Sequence, residues 1–282
     1  MNALNLWTAA SVLAMLLIVL ALILHMRRVA RLFQVTEEIV WLSKLPSSLD
    51  GLRLFFISDL HRRKLTEEHI TQIKMHEQAQ LVIIGGDVTE RDAPVEDAIN
   101  NVLKLRSLGA TVMVHGNHDH KGDTRKLDAE LSAHGIKLLD NEAMRCEQGD
   151  GTMWIVGVDD LTTGKTNLDW ALESPRNEPH CCILISHDPA IIRSNIPDMV
   201  ELVIAGHTHG GQILLPGYGP IKTSAFYRKY LAGWYSINRS SHDAMPLKLF
   251  ISRGFGTSHL PLRLGSAPEA HFITLRSGVG VS

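Results

Sequence analysis

Apolar residues are spread unevenly along the chain. Residues 6–24 are apolar, broken only by Thr8 and Ser11, and carry no charge. As a helix this run measures roughly 28 Å, enough to cross the hydrocarbon core of a bilayer. Beyond it, short apolar runs alternate with charged stretches. Residues 52–57, 81–84 and 111–114 are strand-like runs. Between them, 67–78 carries Ile70, Ile73 and Met75 among charges. Residues 95–108 carry Val95, Ala98, Ile99, Val102 and Leu105 at helical spacing, with Gly109 as a stop. Such alternation predicts βαβ units and a parallel sheet. The later half is richer in strand-like runs, at 153–158, 182–185, 202–204, 247–251 and 271–275. Gly210-Gly211, Pro216-Gly217 and Gly219-Pro220 punctuate it. This predicts a second, more antiparallel sheet packed on the first. Val35, Ile39, Val40 and Leu42 lie among Glu37, Glu38 and Lys44. They read as a short amphipathic juxtamembrane piece, broken at Pro46-Ser47-Ser48.

The expected organisation is therefore a membrane anchor with a basic flank over 1–32, a juxtamembrane linker over 33–49 and one domain over 50–282. Arg27, Arg28 and Arg31 follow the apolar run, and no charged side chain precedes it. A secretory signal carries its positive charge ahead of the apolar stretch. The pattern predicts an uncleaved single-pass anchor in the cell membrane, with the domain on the cytoplasmic side. A net charge of -2 gives no broad basic face for nucleic acid. Cys146, Cys181 and Cys182 are too few for a disulfide framework, and the adjacent pair points to opposite faces of a strand.

Five segments rich in Asp, Asn and His change the picture. They are Asp59-Leu60-His61, Gly86-Asp87, Gly116-Asn117-His118-Asp119, His187, and Gly206-His207-Thr208-His209. Each follows an apolar run, so strand ends in one domain can aim these side chains at one point. Imidazole, carboxylate and carboxamide donors suit borderline-hard divalent metals rather than a thiolate site. The set exceeds what one metal needs. Two metals sharing a carboxylate is the economical reading. Asp59 and His61, like His207 and His209, are two apart, which on extended backbone puts them on one side.

The full ordered set resembles the calcineurin-like metallophosphoesterase superfamily, from about Gly51 to the C-terminus. The stretches Ser252-Arg253-Gly254-Phe255-Gly256 and Leu260-Pro261-Leu262-Arg263 resemble its bacterial membrane-anchored or exported branch. The resemblance implies an α/β fold, a two-sheet mixed β-sandwich flanked by helices (αββα), here preceded by one transmembrane helix. It implies two divalent ions, manganese, iron or zinc. Asp59, His61, Asp87 and His209 hold the first; Asp87, Asn117, His187 and His207 hold the second. A hydroxide bridging the two metals attacks phosphorus, and His118 stands over the substrate to protonate or stabilise the leaving oxygen. Asp119 is expected either to orient His118 or to be structural. Arg253 is a candidate for substrate phosphate, against a structural ion pair, and Arg62-Arg63 make the entrance basic. The expected activity is hydrolysis of phosphodiesters, lipid-linked or nucleotide-linked. The alternatives are a tethered phosphomonoesterase and a non-catalytic metal-binding regulator.

Overall fold

The computed structural model describes residues 3–178, 180–221, 223–239 and 245–280. Helix α1 (Ala3–Arg31) contains the apolar run. Its stretch Trp7–Arg31 contains an 18-residue window of mean hydropathy 2.6 and is long and apolar enough to cross a membrane. From Trp7 to His25 its side chains are exposed. Only the last turns meet the rest of the protein. Met26 and Ala30 are buried there. The backbone N–H of Arg263 donates to the Met26 carbonyl at 3.1 Å, and the Arg63 guanidinium donates to the Arg31 carbonyl at 2.8 Å.

No linker follows. The segment expected to be one contains strand β1 (Gln34–Leu42), which pairs in parallel with the last strand of the chain along its whole length. Val35, Thr36, Ile39, Val40 and Trp41 are β-branched or aromatic and suit a pleated edge. Val40 and Leu42 enter the core between the sheets. What read as amphipathic and external is the edge of the domain.

In order come β2 (Arg53–Ile57), α2 (Glu67–Lys74), β3 (Leu81–Ile84), α3 (Val95–Arg106), β4 (Ala110–Met113), α4 (Thr124–Ala133) and β5 (Lys137–Leu138). Then come β6 (Glu142–Gln148), β7 (Gly151–Gly157), β8 (Cys181–Ile185), β9 (Val200–Ala205), β10 (Leu214–Leu215), β11 (Gly219–Pro220), β12 (Gly233–Ile237), β13 (Leu247–Ile251) and β14 (Glu269–Ser277). One six-stranded sheet has the order β1-β14-β2-β3-β4-β5, the other β12-β13-β9-β8-β7-β6. Neighbours along a strand point to opposite faces. So Phe56, Ile83 and Val112 fill the space between the sheets with Ile155, Ile183, Ile204 and Phe250. Phe55, Val82, Ile84 and Met113 face the helical layer through Ile73, Val102, Leu105 and Leu131. Val156, Leu184, Val203 and Leu249 build a third core on the outer face of the second sheet. The αββα layering is as the resemblance implies.

The second sheet is the more antiparallel of the two, as expected, with two antiparallel ladders of five against one, β14–β2, in the first, but its centre is parallel. β13, β9, β8 and β7 run parallel, and only its edge strands β12 and β6 are antiparallel. Unbroken apolar runs such as 182–185 signal burial on both faces, which goes with parallel pairing. Much of the Gly/Pro punctuation belongs to the β10–β11 hairpin outside this sheet. Cys181 faces the inter-sheet core and Cys182 the outer one, and both are free, as is Cys146.

One buried group on β14 contributes to acid sensitivity. His271 bonds Thr36 Oγ1 and Ser252 Oγ, each at 2.8 Å. Burial, reinforced by Arg253, pushes its pKa down to about 3. Its unfolded value is higher, so the unfolded chain binds more protons between about pH 6.5 and 3. Stability therefore falls as pH drops through that window, by on the order of 4 kcal/mol at its acid end. Denaturant titrations of wild type and His271→Gln at pH 7 and pH 4.5 check this. The variant should lose less on acidification; an equal loss would refute it.

Candidate metal centre

Asp59 and His61 follow β2, Asp87 follows β3, and Asn117 and His118 follow β4. His187 follows β8, and His207 and His209 follow β9. Both sheets thus bring the carboxyl ends of their parallel strands to one edge, where open α/β sheets bind ligands. The loops are tied to one another. Asp59 N–H donates to the Gly86 carbonyl and His61 N–H to the Asp87 carbonyl, both at 2.9 Å; Gly206 N–H donates to the His187 carbonyl at 3.0 Å.

Eight non-glycine residues have positive φ among the described residues, and five are Asp59, His61, Asp87, His207 and His209. Such backbone costs ~1–3 kcal/mol per residue and persists only where surroundings impose it. It also corrects the expected geometry. Asp59 and His61 share a target because of left-handed turns, not because the segment is extended, whereas His207 and His209 part, His209 joining Asp59 and His61 and His207 packing on His187. Two glycines make the approach possible. A Cβ on Gly116 would lie 2.3 Å from Asp87 Oδ1, and one on Gly86 (φ +86°) 2.6 Å from Gly116 N.

The donors fit divalent cations. The ligand atoms of Asp59, His61 and His209, and those of Asp59, Asp87 and His187, lie within 4.8 Å of one another. His61 Nε2 and His209 Nε2 face each other at 3.0 Å. Asn117 Oδ1 and His187 Nε2 are buried with no hydrogen-bond partner, which native proteins seldom tolerate. His187 Nδ1 lies 2.7 Å from the Gly85 carbonyl. A carbonyl only accepts, so Nδ1 carries a proton; against burial, Asp87, whose Oδ2 lies 3.3 Å from Nε2, raises His187 well above the usual histidine value, and a bound metal would take the place of the second proton on Nε2. The ring of His207 meets that of His187 edge-on at 5.2 Å. Burial opposes ionisation of both carboxylates, yet His209, His187 and His61 outweigh it at Asp59, and His187, His61 and His118 at Asp87, and both lie below the ordinary carboxylate range. Burial, His61 and Arg263 keep His209 well below the usual histidine value, so its ring is neutral and free to ligate. The two carboxylates reach both sides: His61 Nε2 is 3.7 Å from Asp87 Oδ2, and His187 Nε2 is 4.0 Å from Asp59 Oδ1.

His118 is set differently. Its Nδ1 lies 2.6 Å from Glu90 Oε1, a hydrogen bond that satisfies both partners. The bond to His61 and that to His118, against burial, bring the Glu90 carboxyl down to about 2. Glu90 is thus an acceptor at neutral pH, and Nε2 is the open nitrogen of His118. Sequence reasoning missed Glu90. It stands three residues after Asp87 but in the charged run Glu90-Arg91-Asp92, which reads as solvated surface. Arg263 was also unforeseen in this role. Fully buried, it donates to the carbonyls of Gly256, Arg253 and His209 at 2.6, 2.7 and 3.3 Å and fixes the loop that carries His209.

For two residues the contacts match the structural alternative. The Asp119 carboxylate is consumed by the backbone N–H groups of Asp87, Gly116 and Thr89 at 2.8–2.9 Å. It positions the loops of Asp87 and Asn117. Arg253 forms the ion pair that was the alternative to a phosphate contact, with its Nη1 2.5 Å from the Glu269 carboxylate. The cations that line the cleft are others. A cleft of about 570 Å³ is bounded by Arg62, Arg91, Lys121, Glu90 and His118. A second, of about 680 Å³, is bounded by His207, His209, Gln212 and Tyr227, and both share His259. Arg63 turns away from the entrance to the Phe255 and Arg31 carbonyls.

A model of the calcineurin-like phosphoesterase family matches residues 52–211. The chain belongs to that family, and is a metal-dependent phosphoesterase. It is 34% identical over 226 residues to the Bacillus subtilis protein YpbG, covering 79% of this chain and 81% of that one. It is 25% identical to the phosphodiesterase YaeI of Escherichia coli, covering 79% and 82%. A transmembrane protein with a metallophosphoesterase domain from Bos taurus is 27% identical; the match covers 86% of this chain and 57% of that protein.

Proposed function

We propose that this protein is a phosphodiesterase held at the inner face of the cell membrane. In this reading Asp59, His61, Asp87 and His209 bind one divalent metal, and Asp87, Asn117, His187 and His207 a second. The observation that carries it is the pair of buried, partnerless ligand atoms, Asn117 Oδ1 and His187 Nε2, beside two carboxylates. Metals bound there supply Lewis acidity toward a phosphoryl group and lower the pKa of water. The chain supplies the rest. Glu90 holds Nδ1 of His118, so Nε2 meets the leaving oxygen and donates to it or offsets its charge. Arg62, Arg91 and Lys121 offset phosphate charge along the cleft. A diester carries a substituent on each side of phosphorus, and the two clefts that meet at His259 offer room on each side. The name of the Escherichia coli relative supports the same preference. The arginines after the apolar run support the inward orientation.

The test uses the full chain in detergent micelles with manganese. Bis-p-nitrophenyl phosphate should be cleaved faster than p-nitrophenyl phosphate, and a chelator should abolish both reactions. Faster monoester cleavage would make the protein a tethered phosphomonoesterase. No cleavage of either, with metal bound, would make it a non-catalytic regulator.

A further inference from the structure

Where α1 meets the domain there is a cavity of about 410 Å³ lined by Arg27, Ala30, Arg31, Arg62, Arg63, Thr257 and Pro261. That volume is in the range of small-ligand sites, ~300–1,000 Å³. Arg62, Thr257 and Pro261 also line the cleft of His118, so the two spaces adjoin. The charge is largely uncompensated. Arg63 is committed to two backbone carbonyls and stacks on Phe255 at 4.0 Å. Among the described residues, no carboxylate pairs with Arg27 or Arg31. Arg62 has only Asp92 at 3.9 Å, both exposed, a weak pair. The C-terminus of a helix repels anions. Here the terminal Arg31 carbonyl is already capped by Arg63, and three open guanidinium groups outweigh the residual dipole.

The depth of the cavity is the second observation. The apolar run ends at Leu24, and Arg27 to Arg31 lie three to seven residues beyond it, roughly 5–10 Å along the helix. A bilayer has a head-group layer of about 5–8 Å on each side of its hydrocarbon core. With α1 spanning, the cavity therefore sits at head-group level. Exposed Leu32 and Leu260 stand next in sequence to its wall residues Arg31 and Pro261.

We propose that the cavity between α1 and the domain, lined by Arg27, Arg31 and Arg62, is an anion subsite for the phosphate head group of a membrane lipid, adjoining the catalytic cleft. Guanidinium forks match phosphate oxygens, and the anchor delivers the site to where such groups are concentrated. The inference rests on the membrane-bound placement in the proposed function, but not on turnover.

The experiment is calorimetric titration of the full chain in neutral detergent, with chelator present. The probes are dihexanoyl phosphatidic acid, dihexanoyl phosphatidylcholine and inorganic phosphate. The phosphatidic acid should bind one to one and at least tenfold more tightly than the other two. Arg27→Gln/Arg31→Gln should weaken it tenfold or more with an unchanged melting temperature, since both side chains are exposed. Equal binding by wild type and variant would overturn the inference. Inorganic phosphate binding as tightly as the lipid would overturn its lipid part. Chelator keeps this readout independent of the metal centre. Loss of lipid binding in the variant, with wild type inert toward bis-p-nitrophenyl phosphate, would leave the subsite standing and sink the phosphodiesterase reading. The reverse pattern would sink the subsite alone.

Discussion

His118→Asn lowers kcat for a phosphodiester by ~10²–10⁴-fold, the usual worth of a positioned acid, while metal content stays at the wild-type level. The dissociation of the two readouts follows from the bonding. His118 Nδ1 is taken by Glu90, and its backbone N–H, which Asn retains, donates to Asp87 Oδ1 at 2.7 Å. The substitution thus removes the open Nε2 and leaves the Asp87 loop pinned. Glu90→Gln is the informative companion. It keeps the shape but removes the ionised acceptor that fixes the ring, so a fall of ~10–100-fold is expected, as for other outer partners, with a displaced pH profile of kcat. Metal analysis and steady-state kinetics on the same samples decide it. Loss of bound metal in His118→Asn would mean that this ring is a ligand.

Asp87→Asn has the largest expected effect. Asp87 is buried beside His61 and His187, and it is the shared carboxylate of the proposed site. Asn keeps the volume and can still accept from His118 N–H, so the fold survives. The negative charge that holds two cations is gone. Turnover should fall well beyond the ~10–100-fold worth of an outer partner, and metal content should drop. Bound metal stabilises the native state by ~2.7 kcal/mol at a hundredfold excess over Kd. Chelator should therefore lower the melting temperature of wild type and leave that of Asp87→Asn nearly unmoved. Wild-type metal content in the variant would rule out Asp87 as the bridge.

The proposed ligand set was legible because chemistry and position coincide: each Asp, Asn or His follows an apolar strand. The strands 81–84 and 182–185 were readable for the same reason, since unbroken apolar runs have few other uses. What escaped was context. Glu90 looks like surface because its charged neighbours Arg91 and Asp92 are surface; only folding turns it inward onto His118. Arg263 is buried against the usual habit of arginine, and nothing local announces five carbonyls waiting for it. The left-handed backbone at Asp59, His61 and Asp87 is imposed by packing between loops and leaves no mark on residue type. Strand β6 carries Glu142, Arg145, Glu147 and Gln148, since an edge strand needs little apolar surface. Its existence depends on β7 beside it.

Strand β1 decides how this protein could ever be released from a membrane. Its nine residues pair with β14, and Val40 and Leu42 close the core between the sheets. A cut anywhere within Gln34–Leu42 would strip an edge from the sheet, bare the backbone of β14 and uncover Ile273 and Leu275. Only Leu32 and Phe33 separate anchor from strand, and Phe33 itself packs on Phe255 and His69. Shedding of an intact domain would need a protease able to cleave within that two-residue gap, against the face of the folded protein. A soluble form made for the bench faces the same limit: it has to begin at Phe33 or earlier, not at the apparent domain start near Asp50.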